Sequence, residues 1–323
     1  MATTKEIKNR IKSVKDTQKI TNAMYLISST KMTKAKRELD STRPYFEMLK
    51  HQIVSMIQMN ESAGNYYFSD GMSGSDDDFG ASVHLGGAAG SAETTAFLVI
   101  TADKGLAGAY NQNVIREAME LIRETSSYKL FVVGEYGRRY FEGKGMDIDQ
   151  SFLYTAQNPT LERAREITQL ITEIYARREI TKVRIIYTDF RNGLMGGDVR
   201  SEVLLPFDRE DFRLDAEESE ELNDRNTEYL PDVTEVLNNV VPSYLAGYIY
   251  SALVDSFCSE QSARMSAMDA ANQNAEELLA RLNLEYNHVR QGAITQEITE
   301  VSAGSRGQKK SKKKREEREE GLN

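Results

Sequence analysis

The sequence predicts an α/β protein: a long antiparallel coiled coil of N- and C-terminal helices, with a doubly wound α/β domain between them. Three observations lead there. Apolar residues recur at alternating steps of three and four over residues 244–301 and again over residues 4–58, the seam of helices that wind around a partner. From Ala96 the period changes to short buried runs separated by amphipathic stretches, the pattern of a mostly parallel sheet covered by helices. Five prolines and no tryptophan among 323 residues suit a helix-rich chain.

In chain order, residues 1–58 form the first helix. Ile7, Ile11, Val14, Tyr25, Met32, Ala35 and Leu39 lie on its seam, and Gln18, Thr21 and Ser28 interrupt it as polar residues suited to fixing register. Ile20, Met24 and Ile27 add a second stripe, and Pro44 should kink or interrupt the helix because it lacks a donor. Residues 59–95, rich in Gly, Ser and Asp, read as an acidic flexible loop.

Residues 96–206 are the α/β domain, of Rossmann-like type. Strands are expected at 97–100, 130–133 and 183–188, and helices at 113–125, 135–141 and 161–178. A Gly-rich hairpin turn at 193–197 then leads into an antiparallel edge strand at 199–205. Residues 207–230 are an acidic linker. Asp232, three before Glu235, starts the C-terminal helix, 231–304, with a bend at Pro242. Its seam runs through Met268, Ala271, Ala275, Leu278, Leu282, Val289 and Ala293, and the Ala/Ser run from Ser262 to Ala271 allows close backbone approach. At about 1.5 Å per residue the stretch 244–301 is on the order of 85 Å long, so it needs a partner helix along its length. Residues 305–323 read as a charged tail, disordered or a frayed helix.

Charge is sorted by segment. Residues 1–50 carry twelve Lys/Arg against five Asp/Glu, and residues 208–235 carry three arginines against twelve acids, within a net charge of -9. Such runs are read as solvated faces or loops before anything else. No run approaches the roughly eighteen apolar residues of a membrane span, so membrane contact is expected only through other proteins. The single cysteine, Cys258, cannot form an internal disulfide, which fits a reducing compartment. His51, His84 and His288 stand far apart without cysteine neighbours at ligand spacing, so no metal is expected. The start is basic with Glu6 and Asp16 and lacks an apolar core, unlike a signal peptide.

Residues 101–109 join the first strand to the next helix with Gly105 and Gly108, and a glycine-bearing turn can cradle phosphate. The spacing is neither G-x-G-x-x-G nor G-x-x-x-x-G-K-[ST], and a tight turn is the favoured reading. The lysines at 309–314 have the charge for nucleic acid or anionic lipid, yet Glu316, Glu317, Glu319 and Glu320 offset them, which favours a solvated tail and no nucleic acid. Histidine is too scarce for a Ser/His/Asp or Cys/His arrangement. Catalytic, cofactor-binding and metal residues are all expected to be absent, and the residues point to mechanics rather than bond-breaking.

Four stretches carry a resemblance: 7–24, opening Ile7-Lys8-Asn9-Arg10-Ile11 and followed by Lys31-Met32; 99–108, Val99 to Gly108; 259–268, Ser259-Glu260-Gln261-Ser262-Ala263-Arg264-Met265-Ser266-Ala267-Met268; and 286–298, with Arg290-Gln291-Gly292-Ala293-Ile294-Thr295. In this order they resemble the gamma subunit, or central shaft, of F-type ATP synthases. The resemblance implies a non-catalytic rotor, one copy per complex, without cofactor. Its helices stand inside a hexamer of three alpha and three beta subunits, and its α/β domain rests against the epsilon subunit and the c-subunit ring. It further implies that Glu260, Arg264, Arg290, Gln291 and Thr295 meet the beta subunits, and that Met24 lies where the opposite helix passes their lever region. An ion pair between Glu260 and Arg264, four residues apart, is the purely structural alternative for that pair. Three features depart from the family: the long acidic stretch 61–95, the charged extension after Gly304, and Ala107 where many members carry cysteine. The lack of a regulatory cysteine pair argues against a chloroplast version, and with no targeting segment before the opening motif a bacterial version on the cytoplasmic face of the cell membrane is the simpler expectation. A nucleotide-binding enzyme with helical arms, or a passive coiled-coil scaffold, is the rival reading.

Overall fold

The computed structural model describes residues 3–59, 67–68, 93–152, 156–190, 197–208, 212 and 229–320. The chain divides into two units, one of Met1–Tyr25 with Met268–Asn323, the other of Leu26–Ala267.

Helix α1 (Thr4–Met59) begins at a reciprocal cap: the Thr3 hydroxyl accepts from Glu6 N at 3.3 Å, and the Glu6 carboxylate accepts from Thr3 N at 2.8 Å. It continues through Pro44 without the expected interruption. The missing donor is one bond in a long ladder, and Phe46 and the buried Ile53, Val54 and Met56 pack that part of α1 into a core. The last helix, here called α5 (Val233–Glu320), starts where Asp232 Oδ1 accepts from Glu235 N at 2.8 Å. It passes Pro242 and reaches Glu320, so helix runs past the expected end at 304, and of the two readings of the tail, disordered or helical, residues 305–320 take the helical one. Past Gly307 the residues are mostly Gln, Lys, Arg and Glu, good helix formers, and extending a helix costs far less than starting one.

Between them lie β1 (Thr94–Ile100), α2 (Tyr110–Glu124), β2 (Ser127–Val133), α3 (Glu135–Gly143), β3 (Gln150–Phe152), α4 (Leu161–Ala176), β4 (Lys182–Asp189) and β5 (Asp198–Leu205). Among the described residues these strands form one sheet in the order β3-β2-β1-β4-β5. β1 is parallel to β2 and to β4, β2 is parallel to β3, and β5 runs antiparallel to β4 as expected. The short β3 has no counterpart in the sequence reading, because three residues with an exposed first position show no apolar run.

Period-two alternation sorts the side chains. Phe97, Val99, Leu130, Val132 and Ile186 face α2 and α3. Leu98, Ile100, Phe131, Val133 and Ile185 face α4, the later part of α1 and the first part of α5. Both faces are therefore dry, which is why these strands read as unbroken apolar runs.

Two segments expected to be loops contribute to this core. Tyr67 and Phe68, in the stretch expected to be a flexible loop, are buried; Phe207 N donates to Tyr67 O at 2.7 Å, and the Phe68 ring packs tilted on Phe207 and edge-on to Phe212. Phe212, in the expected acidic linker, is buried with them and packs edge-on to Tyr244. Averaged composition concealed these aromatics among glycine, serine and acid. Met59, also expected in the loop, ends α1, and Thr94 and Thr95 open β1; most of the rest of both expectations, like most of the 193–197 turn, lies outside the described residues.

Gly247 shows why a helix-weakening residue sits inside α5. A Cβ there would come within 2.1 Å of the Phe46 ring of α1, so glycine gives the ring its seat. Gly247→Ala should lower stability by about 1–3 kcal/mol, the usual cost of overpacking, and Phe46→Ala in the same chain should recover part of the added loss in a urea-unfolding double-mutant cycle. Cys258 is buried with its thiol against Met32 O, and burial pushes its pKa up to about 12. A thiol reagent at pH 8 should consequently label the native chain far more slowly than the urea-unfolded chain, by on the order of a hundredfold or more.

Candidate functional site

The first unit is a pair of helices. Gln18 Nε2 donates to Glu276 Oε1 at 3.3 Å, Thr21 Oγ1 donates to Asn272 Oδ1, and Asn272 Nδ2 donates to Asn22 Oδ1 at 2.6 Å. Numbers rise on one helix as they fall on the other, so the pairing is antiparallel, and the polar seam residues lock it at one offset. Ile7, Met268 and Leu282 are buried, while Ile11, Val14, Ala271, Ala275, Leu278 and Val289 are half-buried. Met24 is half-buried and Tyr25 exposed, the reverse of the expected seam, because the steps there run three then four. Ile20 and Ile27 of the second stripe are exposed. Ala293, expected in the seam, is exposed too: this register places the start of α1 opposite the region around Arg290, and every residue from Arg290 to Gln308 is exposed. Ile294, Ile298 and Val301 make an apolar line on that bare helix.

The second unit holds a buried polar cluster. In the strand order β3-β2-β1-β4-β5 the connections reverse direction between β1 and β4, and the ends of those strands are where doubly wound sheets take ligands. Here α5 fills the place. Ser256 Oγ accepts from Thr188 N at 3.2 Å, Ser259 lies against Thr188 O, and Tyr110 is buried beside Ser256 and Thr188. Burial first, and then the nearby Glu260 carboxylate, raises the Tyr110 pKa. One turn farther along, Arg264 Nη2 donates to Glu260 Oε1 at 2.6 Å and to Gly105 O at 3.0 Å, with Glu260 5% and Arg264 8% exposed. Burial raises the Glu260 pKa and Arg264 works against that rise.

The turn between β1 and α2 is braced from several sides. Asn111 Oδ1 accepts from Ala102 N at 2.9 Å and its amide reaches Lys104 O at 3.4 Å, while Asp103 Oδ1 accepts from Glu135 N at 3.0 Å. Thr101 Oγ1 donates to Val133 O at 2.8 Å and accepts from Gly137 N at 3.0 Å. Gly134, at φ 97, is required there: a Cβ would stand 2.4 Å from Thr101 O. Among the described residues no group of three or more His, Cys, Asp or Glu could hold a metal ion.

A family model described as ATP synthase matches residues 3–307. The chain is 41% identical to the ATP synthase gamma chain of Caldanaerobacter subterraneus subsp. tengcongensis over 93% of its own length and 98% of that protein's. It is 38% identical to the ATP synthase gamma chain of Ruminiclostridium cellulolyticum, over 93% and 97% respectively. The chain belongs to the ATP synthase gamma chain family. Its fold matches a chain in the central stalk and c-ring structure of the Tetrahymena thermophila mitochondrial ATP synthase, with a TM-score of 0.55, 25% identity, and coverage of 78% of this chain and 99% of that one. The gamma-chain match stops at Arg306-Gly307, inside α5, so the last turns of that helix lie beyond it.

Of the residues that the gamma-chain resemblance singles out, Met24, Arg290, Gln291 and Thr295 belong to the helix-pair unit, where Arg290, Gln291 and Thr295 are exposed. Glu260 and Arg264 belong to the sheet unit, face inward and make the expected intrahelical pair. Asn111, Tyr110, Thr188, Ser256 and Ser259 escaped the sequence reading. The available signal was Ser256, Glu260 and Arg264 at four-residue spacing, on one face of the helix. Asn111→Ala should leave Ala102 N buried without its acceptor and cost about 1–3 kcal/mol in urea unfolding.

Proposed function

We propose that this chain is the non-catalytic central-stalk rotor subunit of an F-type ATP synthase. It carries rotation between a membrane c ring and an alpha3-beta3 catalytic head, and so couples ion translocation to ATP synthesis or hydrolysis. The observation that carries this reading is the stretch of α5 from Arg290 to Gln308, exposed on every side with an apolar line of Ile294, Ile298 and Val301. A helix exposed on all sides, carrying aliphatic residues, gains its stability from enclosure by other polypeptides. Membership of the gamma-chain family supplies the enclosure, a ring of alpha and beta subunits. The likeness to a chain of the Tetrahymena thermophila central stalk, which stands with a c ring, supplies the other end.

A paired-helix axle has no threefold symmetry, so three equivalent catalytic sites around it meet three different faces. Turning it changes each site's nucleotide affinity in sequence, because coupling requires contacts that differ between states. In this reading Met24, Arg290, Gln291 and Thr295 touch the beta subunits, with epsilon and the c ring against the sheet unit. Glu260 and Arg264 act on that contact from within by holding the turn they brace. The crevice where a nucleotide would lie is filled by Ser256, Ser259, Glu260 and Arg264, which supports a chain without a catalytic site of its own. Among the described residues no helix is long and apolar enough to cross a membrane. In this reading the chain is a peripheral subunit on the cytoplasmic face of a bacterial membrane, attached through its partners.

Reconstitution tests the reading. The purified chain should hydrolyse no ATP, and addition to alpha and beta subunits should yield a complex in which a bead on the sheet unit rotates with ATP; a chain that fails to assemble with them overturns it. Replacing Arg290 and Gln291 together by alanine should weaken assembly by about tenfold, the scale of losing one interface anchor. Replacing Lys312 and Lys313 should change assembly by less than twofold, and equal losses would refute the residue assignment.

A further inference from the structure

The turn between β1 and α2 carries two features that do not sustain themselves. Leu106 is 67% exposed and sits at φ 64, a left-handed conformation that a branched side chain rarely adopts, and Gly108 follows at φ 55. A surface turn in such a conformation relaxes unless something holds it. Asn111 grips it at Ala102 and Lys104, and Asp103 ties it to the start of α3. At its tip, Gly105 O is taken by Arg264, a residue 159 positions away on α5.

We infer that α5 serves as the built-in ligand of the sheet's crevice, and that Arg264, oriented by Glu260, is a latch that keeps the 103–108 turn stiff with Leu106 displayed. The same Arg264 nitrogen donates to the Glu260 carboxylate and to the Gly105 carbonyl, so the pair is a strut between helix and turn. Its burial makes it directional: a guanidinium and a carboxylate out of water are held in one arrangement by their hydrogen bonds, whereas apolar packing tolerates sliding. Asp103 and Lys31 add their fields to Glu260 from the turn and from α1, so three elements converge on one carboxylate. Arg264 is a positioning residue here. The latch is internal to this chain and holds whether or not the chain turns inside a catalytic head.

Limited trypsin digestion of the full chain reads the latch, because Lys104 lies in the turn and is exposed. A stiff left-handed turn fits a protease cleft poorly, so cleavage after Lys104 should be slow in the unaltered chain. Arg264→Ala should accelerate it tenfold or more while cleavage after Lys129, in β2, stays unchanged; Arg264→Lys, which keeps a donor without the planar fork, should recover part of the protection. Backbone amide order parameters of Gly105 and Leu106 should fall from about 0.85 to below about 0.6 with those of β1 unaltered. Should Arg264→Ala yield no folded chain, Glu260→Gln, which keeps the shape and removes the charge, should still speed Lys104 cleavage severalfold. Unchanged cleavage in the folded variants, or equal acceleration at Lys104 and Lys129, overturns the latch.

Discussion

A seam of apolar residues that covers one narrow face of a helix cannot hold fifty or more residues helical in water, so α1 and α5 depend on burying each other's seams. In the first unit that requirement is met by Ile7, Met268 and Leu282 together with a run of half-buried small and aliphatic residues. Small seam residues bring the helices close but specify register poorly, since one alanine fits where another does. The crossings from Gln18 to Glu276 and from Thr21 and Asn22 to Asn272 remove that freedom, because a shift by one turn would leave amides and a carboxylate facing the wrong groups. Once the register is fixed, the place along α5 where α1 begins is fixed too, and with it the length of α5 left bare.

The sheet unit meets a different demand. A doubly wound sheet leaves an opening at the carboxyl ends of its central strands, and an empty opening there would strand backbone groups of β4 and of the turn after β1 without partners. α5 closes it with serines that bind Thr188 and with the Glu260 and Arg264 pair. The fold's usual ligand site thus becomes the joint between sheet and helix. This explains how the chain combines a nucleotide-binder's architecture with a turn whose glycine spacing fits no phosphate cradle. Burial of Glu260 carries a desolvation cost that Arg264 offsets, so the joint is specific more than it is strong.

Much of this was legible in the residues. The three-four spacing gave the helix pair, the apolar runs gave β1, β2 and β4, and Asp232 with Glu235 gave the start of α5. The misreadings share a cause, which is that local composition says nothing about what a segment meets. Tyr67, Phe68 and Phe212 sit among glycines, serines and acids yet find one another and Phe207 in space. Tyr25 and Met24 satisfy the helical period almost equally, and only the partner helix chose between them. Glu260 and Arg264 make the four-residue ion pair that their spacing allowed; that the pair would be buried was not legible, because charged residues are seldom buried unless, as here, each has the other at hand.

Periodicity and spacing are properties of the chain, so the sequence by itself determined that two terminal helices would pair, that a parallel sheet would lie between them, and which family the motifs belong to. Which face of α5 would enter the sheet's crevice, how far α5 would outrun α1, and where the aromatic residues of the intervening segments would settle all depend on residues tens to hundreds of positions apart. Those outcomes are set by burial and by hydrogen bonds between groups that become neighbours only on folding, and the tertiary structure decided them.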